Sequence, residues 1–278
     1  MSDEAQRPLV MGILNATPDS YYDKGSYFSF HEAVQRGLQI EQEGADILDI
    51  GGESARPWAE PVLLEEELRR VLPLIEALMP QLSIPISIDT RKAQVAARAV
   101  ELGASLINDI TGFSDPAMQE LAAECDADLC IMHMLGTPQT MQLHPEYPEG
   151  VVTHVMRFFE KRVQELVNRG VKAARIILDP GIGFGKTVEQ NYLLLHAIDQ
   201  FKSFNLRVLI GASRKSFIQK TLGKPPEETL AATLAVHGFC LAKGADVLRV
   251  HDVKEHRDIV DMLHPLNGIY NPFPLAKM

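Results

Sequence analysis

The sequence predicts an α/β protein of the (β/α)8 TIM-barrel class, folded as one domain over residues 1–278. Three observations carry this expectation. Eight short apolar runs recur along the chain, most of them continuous rather than alternating, as parallel strands covered on both faces should be. Stretches with apolar residues at helical spacing separate the runs. Glycine closes several of these stretches just before the next run, at Gly44, Gly103, Gly170 and Gly244, where a left-handed cap carries no Cβ penalty. A chain of 278 residues suits one large α/β domain or two small ones, and length alone does not decide, since barrels of this class run to that size as single domains. A doubly wound open sheet is the alternative. No Pro/Ser-rich linker divides the chain.

After a polar lead of residues 1–8, Leu9–Leu14 reads as the first strand and Phe30–Glu43 as the first helix. Asp46–Ile50 precedes the helical pattern Leu63–Leu82. Pro85–Ile88 precedes Gln94–Leu102, and Ser105–Ile107 precedes Met118–Ala123. Asp128–Met132 leads to Val151–Asn168, and Arg175–Leu178 to Val188–Phe204. Arg207–Ile210 leads to Pro226–Ala242, and Asp246–Val250 to Val253–Leu263. Gly-Ala-Asp or Gly-Ala-Ser follows the helices at Gly44, Gly103 and Gly244, a weak repeat of helix-to-strand joints. The tail from about residue 265, with Pro272 and Pro274, reads as a surface segment.

Formal net charge is −10, which argues against a nucleic-acid binder but leaves room for an anion held by a few clustered bases. Cys125, Cys130 and Cys240 form no C-x-x-C pair and read as buried thiols. No apolar run reaches the roughly 20 residues of a membrane span. Met1 to Arg7 is polar, without a signal-peptide apolar region. A soluble cytoplasmic protein is expected.

In a barrel of this class, chemistry sits at the C-terminal ends of the strands. Those ends are polar here: Asn15 and Asp19; Glu53, Ser54 and Arg56; Asp89; Asn108 and Asp109; His133 and Met134; Asp179; Ser213, Arg214 and Lys215; Arg249, His251 and Asp252. The opposite ends carry nothing comparable by this reading, which favours an enzyme. Asp89, Asn108 and Asp179 together can read a flat heterocycle with several N–H and C=O groups; each can instead cap a helix. Arg56, Arg214, Lys215, Arg249 and His251 suggest an anion site, since Arg offers a bidentate fork to phosphate. The glycine-rich stretch Asp179-Pro180-Gly181-Ile182-Gly183-Phe184-Gly185-Lys186 is neither a Walker A loop, being one residue short, nor a dinucleotide fingerprint, whose sixth position is Lys186. His133 reads as a packed histidine rather than a metal ligand. No Gly-x-Ser-x-Gly elbow supports acyl transfer.

These residues resemble the dihydropteroate synthase family. The matching motifs are Met11-Gly12-Ile13-Leu14-Asn15 with Thr17-Pro18-Asp19-Ser20, Gly51-Gly52-Glu53-Ser54 with Arg56-Pro57, Ser87-Ile88-Asp89-Thr90 and Ile107-Asn108-Asp109-Ile110. Met132-His133-Met134, the Asp179–Lys186 loop, Ser213-Arg214-Lys215-Ser216 and Arg249-Val250-His251-Asp252-Val253 complete the series in order. The resemblance implies joining of 6-hydroxymethyl-7,8-dihydropterin diphosphate to 4-aminobenzoate, giving 7,8-dihydropteroate and diphosphate, in a homodimeric sulfonamide target. It implies pterin contacts from Asp89, Asn108, Met134, Asp179, Phe184, Gly211 and Lys215, with Asp89, Asp179 and Lys215 serving the chemistry. It implies diphosphate contacts from Asn15, Ala55, Arg56, Arg249 and His251, with Asn15 also a ligand of Mg²⁺. Tyr21, Tyr22, Pro57, Arg214 and Ser216 would face the aminobenzoate, and loops Thr17 to Ser29 and Glu53 to Pro61 would close over the site.

The chain departs from the family at Ala55, usually Thr, at Trp58, usually Gly, and at Tyr21-Tyr22-Asp23-Lys24, where Phe-Ser-Asp-Gly is usual. The lost hydroxyl at Ala55 removes a hydrogen bond of about 0.5–1.5 kcal/mol. Two other functions compete: a corrinoid-linked pterin methyltransferase domain, which needs no diphosphate grip, and a non-catalytic pterin-binding paralogue.

Overall fold

The computed structural model describes residues 7–16 and 28–269, and its eight strands close into a barrel in chain order. The strands are β1 (Leu9–Asn15), β2 (Ile47–Gly51), β3 (Ile86–Asp89), β4 (Leu106–Asp109), β5 (Asp128–Met132), β6 (Ile176–Asp179), β7 (Arg207–Ile210) and β8 (Val247–Val250). All pairings are parallel, and β8 returns to β1 through Leu9↔Val247 to Gly12↔Val250. That closure is the predicted barrel and excludes the open sheet. Around it run α1 (Phe28–Gln42), α2 (Leu64–Leu78), α3 (Ala93–Glu101), α4 (Pro116–Glu124) and α5 (Val151–Asn168). They are followed by α6 (Val188–His196), α7 (Ile198–Phe201), α8 (Ser216–Leu222), α9 (Leu230–Ala242) and α10 (Val253–Ile269).

Two apolar layers hold the barrel. The larger lies between strands and helices, where Leu14, Leu48, Ile50, Ile88, Ile107 and Leu178 meet residues such as Leu74, Val95 and Phe159. The smaller fills the interior with Met11, Ile47, Leu106, Cys130, Ile177, Leu209 and Val247. Side chains alternate across a strand, so the residue two further on points the same way. Two beyond Ile47, Leu106, Ile177 and Val247 stand Asp49, Asn108, Asp179 and Arg249. On these four strands the interior thus turns from apolar to polar in one step.

The structure corrects four sequence expectations. Asn15, Asp89, Asp109 and Asp179 are the last residues of their strands rather than residues beyond them. Their backbones still have a neighbouring strand to bond; the side chains of Asn15, Asp89 and Asp179 serve the mouth, whereas Asp109 points the other way and accepts from the Thr111 and Phe113 N–H groups. The stretch Val188–Phe204 is not one helix but α6, α7 and a 3₁₀ turn, broken at Ala197. The break carries no Gly or Pro; it brings Ile198 and Phe201 into the core. Helix α8 was not predicted, because its seven residues are too few for a periodic signal. Finally, residues 265–269 are not tail. Helix α10 continues past Pro265, which removes one hydrogen bond, while Val260 and Leu263 pack the preceding turns onto the core.

The opposite end of the barrel is charged, against expectation, but its charges are spent on one another. Arg7 and Arg257 pair with Asp46, Arg207 with Asp128 and Lys202 with Asp246. Asp46 and Asp246 also accept the Val10 and Val208 backbone N–H groups, at 2.8 and 2.6 Å. These carboxylates fasten strand starts. A wide hollow there, lined by Arg7, Leu9, Ala174, Asn205, Arg207 and Asp246, is larger than the cleft at the mouth, and its three charged residues are each engaged in an ion pair.

Candidate active site

The mouth is organised by Arg249. Its Nε donates to Asp49 Oδ2 and its Nη2 to Asp89 Oδ2, each at 2.6 Å. Asn108 Nδ2 donates to the same Asp49 oxygen at 3.2 Å. Strand register sets this row, because Asn15 pairs with Gly51, Gly51 with Asp89 and Asp89 with Asn108. Asp89 therefore spends itself on Arg249 and does not cap α3, whose N-cap Lys92 has no side-chain capping bond. Asn108 Oδ1, Asp49 Oδ1 and Ser87 Oγ are buried and have no partner among the described residues. Buried acceptors are rarely left so, and these lie where a ligand's donors can meet them.

Too little positive charge is shared among too many carboxylates here. Burial pushes Asp89 up to about 7; Arg249 opposes the rise, and Asp49 adds to it. Burial also raises Asp179, against the Gly181 N–H and the charges of Lys215 and Arg249. Lys215 is drawn down to about 8 by burial and by Arg249, although Asp179 and Asp89 resist. Asp89 and Lys215 therefore both titrate near neutrality.

The loop after β6 supplies a flat apolar wall. Lys215 Nζ stands 3.9 Å above the Phe184 ring, a cation–π contact. Phe184 packs with Ile110, Met132, Met141, Met134 and Ala55. The glycines answer to close approach: a Cβ on Gly181 would lie 1.9 Å from the His133 carbonyl oxygen, and one on Gly185 2.6 Å from Leu135 Cβ. Buried Lys186 ties this loop to β5, contacting His133 Nδ1 at 3.0 Å and the His133 and Phe184 carbonyls at 3.2 and 2.8 Å. Burial, and then the Lys186 charge, drive His133 down to about 2, so it is a neutral packed ring, as expected. Lys186→Met leaves two buried carbonyls unpaired. It is expected to cost about 2–4 kcal/mol in stability, read as a lower urea midpoint; an unchanged midpoint would refute the role.

At β7 and β8, Ser213 Oγ accepts the His251 backbone N–H at 3.2 Å and lies 3.1 Å from its Nδ1. Arg214 adopts φ 56° and forks onto Asp252. Burial, then the charges of Arg249 and Arg214, hold His251 down at about 3. On the far side, Glu53 is clamped by Arg91 and Lys92. Beyond it, the loop docks through Trp58 N to Pro138 O at 3.1 Å and Gln139 Nε2 to Ala59 O at 2.7 Å. Trp58 sits at φ 67°, where its usual glycine would be unstrained. A cleft between this loop and the mouth is lined by Glu53, Ala55, Asp89, Thr90, Ile110 and Pro138.

Residues 11–251 match the sequence profile described as "Pterin binding enzyme". The chain belongs to this family of pterin-binding enzymes. Within the family it is similar to the dihydropteroate synthase of Escherichia coli (strain K12), 43% identical over 252 residues, covering 91% of this chain and 89% of that one. The dihydropteroate synthase of Synechocystis sp. is 46% identical over 254 residues, with 91% and 88% covered. Among solved structures, Yersinia pestis dihydropteroate synthase in a sulfonamide drug complex superposes with a TM-score of 0.89 at 39% identity, covering 94% and 95%. The Burkholderia cenocepacia enzyme complexed with 7,8-dihydropteroate gives 0.85 at 44% identity, covering 95% and 93%.

Against the family pattern, Asn15, Asp89, Asn108, Met134, Asp179, Phe184, Lys215, Arg249 and His251 lie on the strand ends and loops of one barrel end, and Gly211 faces Arg249 across β7 and β8. Arg56, Pro57, Arg214 and Ser216 lie at the exposed rim. The Arg56 guanidinium has no partner among the described residues, whereas Arg214 is bound to Asp252. Tyr21 and Tyr22 lie outside the described residues. Asp49 was missed, although a lone carboxylate inside Leu48-Asp49-Ile50 was the signal. In the sequence, Lys186 stands out only as the last residue of the glycine-rich stretch.

Proposed function

We propose that this chain is a dihydropteroate synthase, joining 6-hydroxymethyl-7,8-dihydropterin diphosphate to 4-aminobenzoate with release of diphosphate. The observation that carries this is the Asp49–Arg249–Asp89–Asn108 array with its orphaned buried acceptors, set beside Asp179 and the Phe184–Lys215 wall. Pterin N–H groups answer Asn108 Oδ1 and Asp179, Lys215 donates to ring acceptors, and Met134 and Phe184 cover the ring's faces.

Leaving-group charge falls to Arg249, Arg56 and the His251 edge. His251 is neutral at working pH, so it contributes a hydrogen bond rather than a charge. With the Ser213 hydroxyl donating to Nδ1, its Nε2–H is left to point at the anion. Departure of diphosphate leaves positive charge on the pterin methylene and ring. Asp89, in its ionised form, stabilises that charge, and a low-dielectric mouth strengthens the effect. The amine of aminobenzoate then attacks from the rim where Pro57, Arg214 and Ser216 lie.

Among the described residues no cluster of His, Cys, Asp or Glu is arranged to cage a metal. Asn15 offers one amide oxygen at the mouth, and one protein oxygen completed by phosphate oxygens suits Mg²⁺. The donor set thus fits. When bound, Mg²⁺ would neutralise charge on the diphosphate. A homodimer in the cytoplasm belongs to the same reading, and no helix among the described residues is long and apolar enough to cross a membrane.

Diphosphate release that depends on 4-aminobenzoate and yields dihydropteroate is the expected result of a turnover assay with Mg²⁺. Tight pterin binding without turnover would instead establish the non-catalytic paralogue. The pH profile of kcat/KM should be a narrow bell. Its acid limb falls near pH 7, below which Asp89 is protonated and neutral, and its alkaline limb near pH 8, above which Lys215 loses its charge. A flat profile from pH 6 to 9 would refute both assignments. Trp58 is proposed to shape the aminobenzoate side and with it sulfonamide affinity; equal inhibition constants for wild type and Trp58→Gly would dismiss that role.

A further inference from the structure

Two buried histidines lie outside the site described above. His237 in α9 and His256 in α10 are fully buried, and His237 Nδ1 stands 2.8 Å from His256 Nε2. The Ala212 backbone N–H donates to His237 Nε2 at 3.0 Å. That nitrogen is therefore bare, and a neutral ring carries its proton on Nδ1. His237 Nδ1–H donates to His256 Nε2, which must be bare in turn. The His256 proton then sits on Nδ1 and donates to the Asp252 carbonyl. Donors and acceptors along Ala212, His237, His256 and Asp252 match in one direction only. Burial, and for His237 the facing His256, hold both rings below their ordinary range, in keeping with two neutral imidazoles.

The ends of this relay are two loops of the site. Ala212 precedes Ser213, Arg214 and Lys215. Asp252 follows His251, and its side chain holds Arg214. Strands β7 and β8 pair only through Leu209↔Val247 and Ile210↔Leu248. Beyond Ile210 no ladder bond sets the spacing of the two loops, and the histidine pair spans that stretch from behind.

We propose that His237 and His256 are positioning residues: their one-way hydrogen-bond relay fixes the loop after β7 against the loop after β8, so that Ser213 holds the edge of His251 toward an anionic leaving group. This deepens the reading of the site given above and rests on it. Glutamine can preserve the relay's direction at either position, because its Oε1 accepts and its Nε2 donates. Leucine fills the space but ends the relay.

The test compares the full-length wild type, His256→Leu and His256→Gln in binding two probes, inorganic diphosphate with Mg²⁺ and the phosphate-free 6-hydroxymethyl-7,8-dihydropterin. For His256→Leu, diphosphate affinity is expected to fall about tenfold while affinity for the phosphate-free pterin stays within about twofold, the loss of one well-placed hydrogen bond. KM for the pterin diphosphate should rise more than kcat falls, and His256→Gln should recover most of the loss. Equal weakening for both probes, or a glutamine variant no better than leucine, would reduce the pair to packing and overturn the proposal. Wild type that binds the pterin but not diphosphate would overturn the site reading, and the proposal with it. Imidazole ¹⁵N spectra of wild type give a check that needs no variant: both rings should be neutral Nδ1–H tautomers, and an Nε2 proton on His237 would contradict the relay.

Discussion

Replacing Arg249 by methionine is expected to lower the free energy of unfolding by about 3–5 kcal/mol, the cost of leaving buried carboxylates without their partner. Asp49 is wholly buried, and Arg249 is its ion-pair partner, at 2.6 Å. Asp89 depends on the same guanidinium at 2.6 Å. The loss should appear as a lower urea midpoint at unchanged slope. The double variant Asp49→Asn, Arg249→Met should recover part of it, because a neutral amide no longer needs a cation. A single variant within about 1 kcal/mol of wild type would mean that water or another base reaches Asp49 when Arg249 is gone. Diphosphate affinity should fall in both variants, which separates the binding role from the structural one.

Asp89→Asn should reduce kcat by about 10²–10³-fold while leaving the KM for the pterin diphosphate within a few-fold. The shape is kept and only the charge is removed, so the effect reads the stabilisation of a developing cation. A drop under about tenfold would transfer that role to Asp179 or Asp49. Stability should move the other way. Burial holds Asp89 near 7, well above its ordinary carboxylate value of 3.8, so between those values the unfolded chain has shed a proton that the folded one keeps, and stability is lost as pH rises from about 3.8 through 7. At pH 8 the asparagine variant should melt higher than wild type, and the advantage should shrink as pH falls through that window and vanish only below about 3.8, where the carboxyl is neutral in both the folded and the unfolded chain. The site thus keeps a charge that chemistry needs at some cost to the fold.

The elements most legible in the sequence were those set by local pattern. Asp128–Met132, Arg207–Ile210 and Val151–Asn168 fall on the predicted bounds because apolar periodicity and flanking turns agree there. The strand ends at Asp89, Asp109 and Asp179 lie one or two residues beyond the ends that the sequence predicts, because a polar side chain marks the end of an apolar run but not of a hydrogen-bond ladder. Asp49 went unread for a related reason: within the sequence it is one polar residue in a buried strand, and only closure of the barrel turns it toward Arg249, 200 residues away. The His237–His256 relay was likewise invisible, since neither residue has a neighbour in sequence that explains it.

What the sequence determined by itself was the barrel and the set of polar groups at its mouth, because strand period, helix period and glycine joints are local properties. Tertiary structure alone decided how those groups share their charges. One arginine serves two carboxylates, a lysine lies on a phenylalanine, and two histidines pass a hydrogen bond between loops. Pairing, burial and protonation depend on distances through space, and no spacing along the chain encodes them.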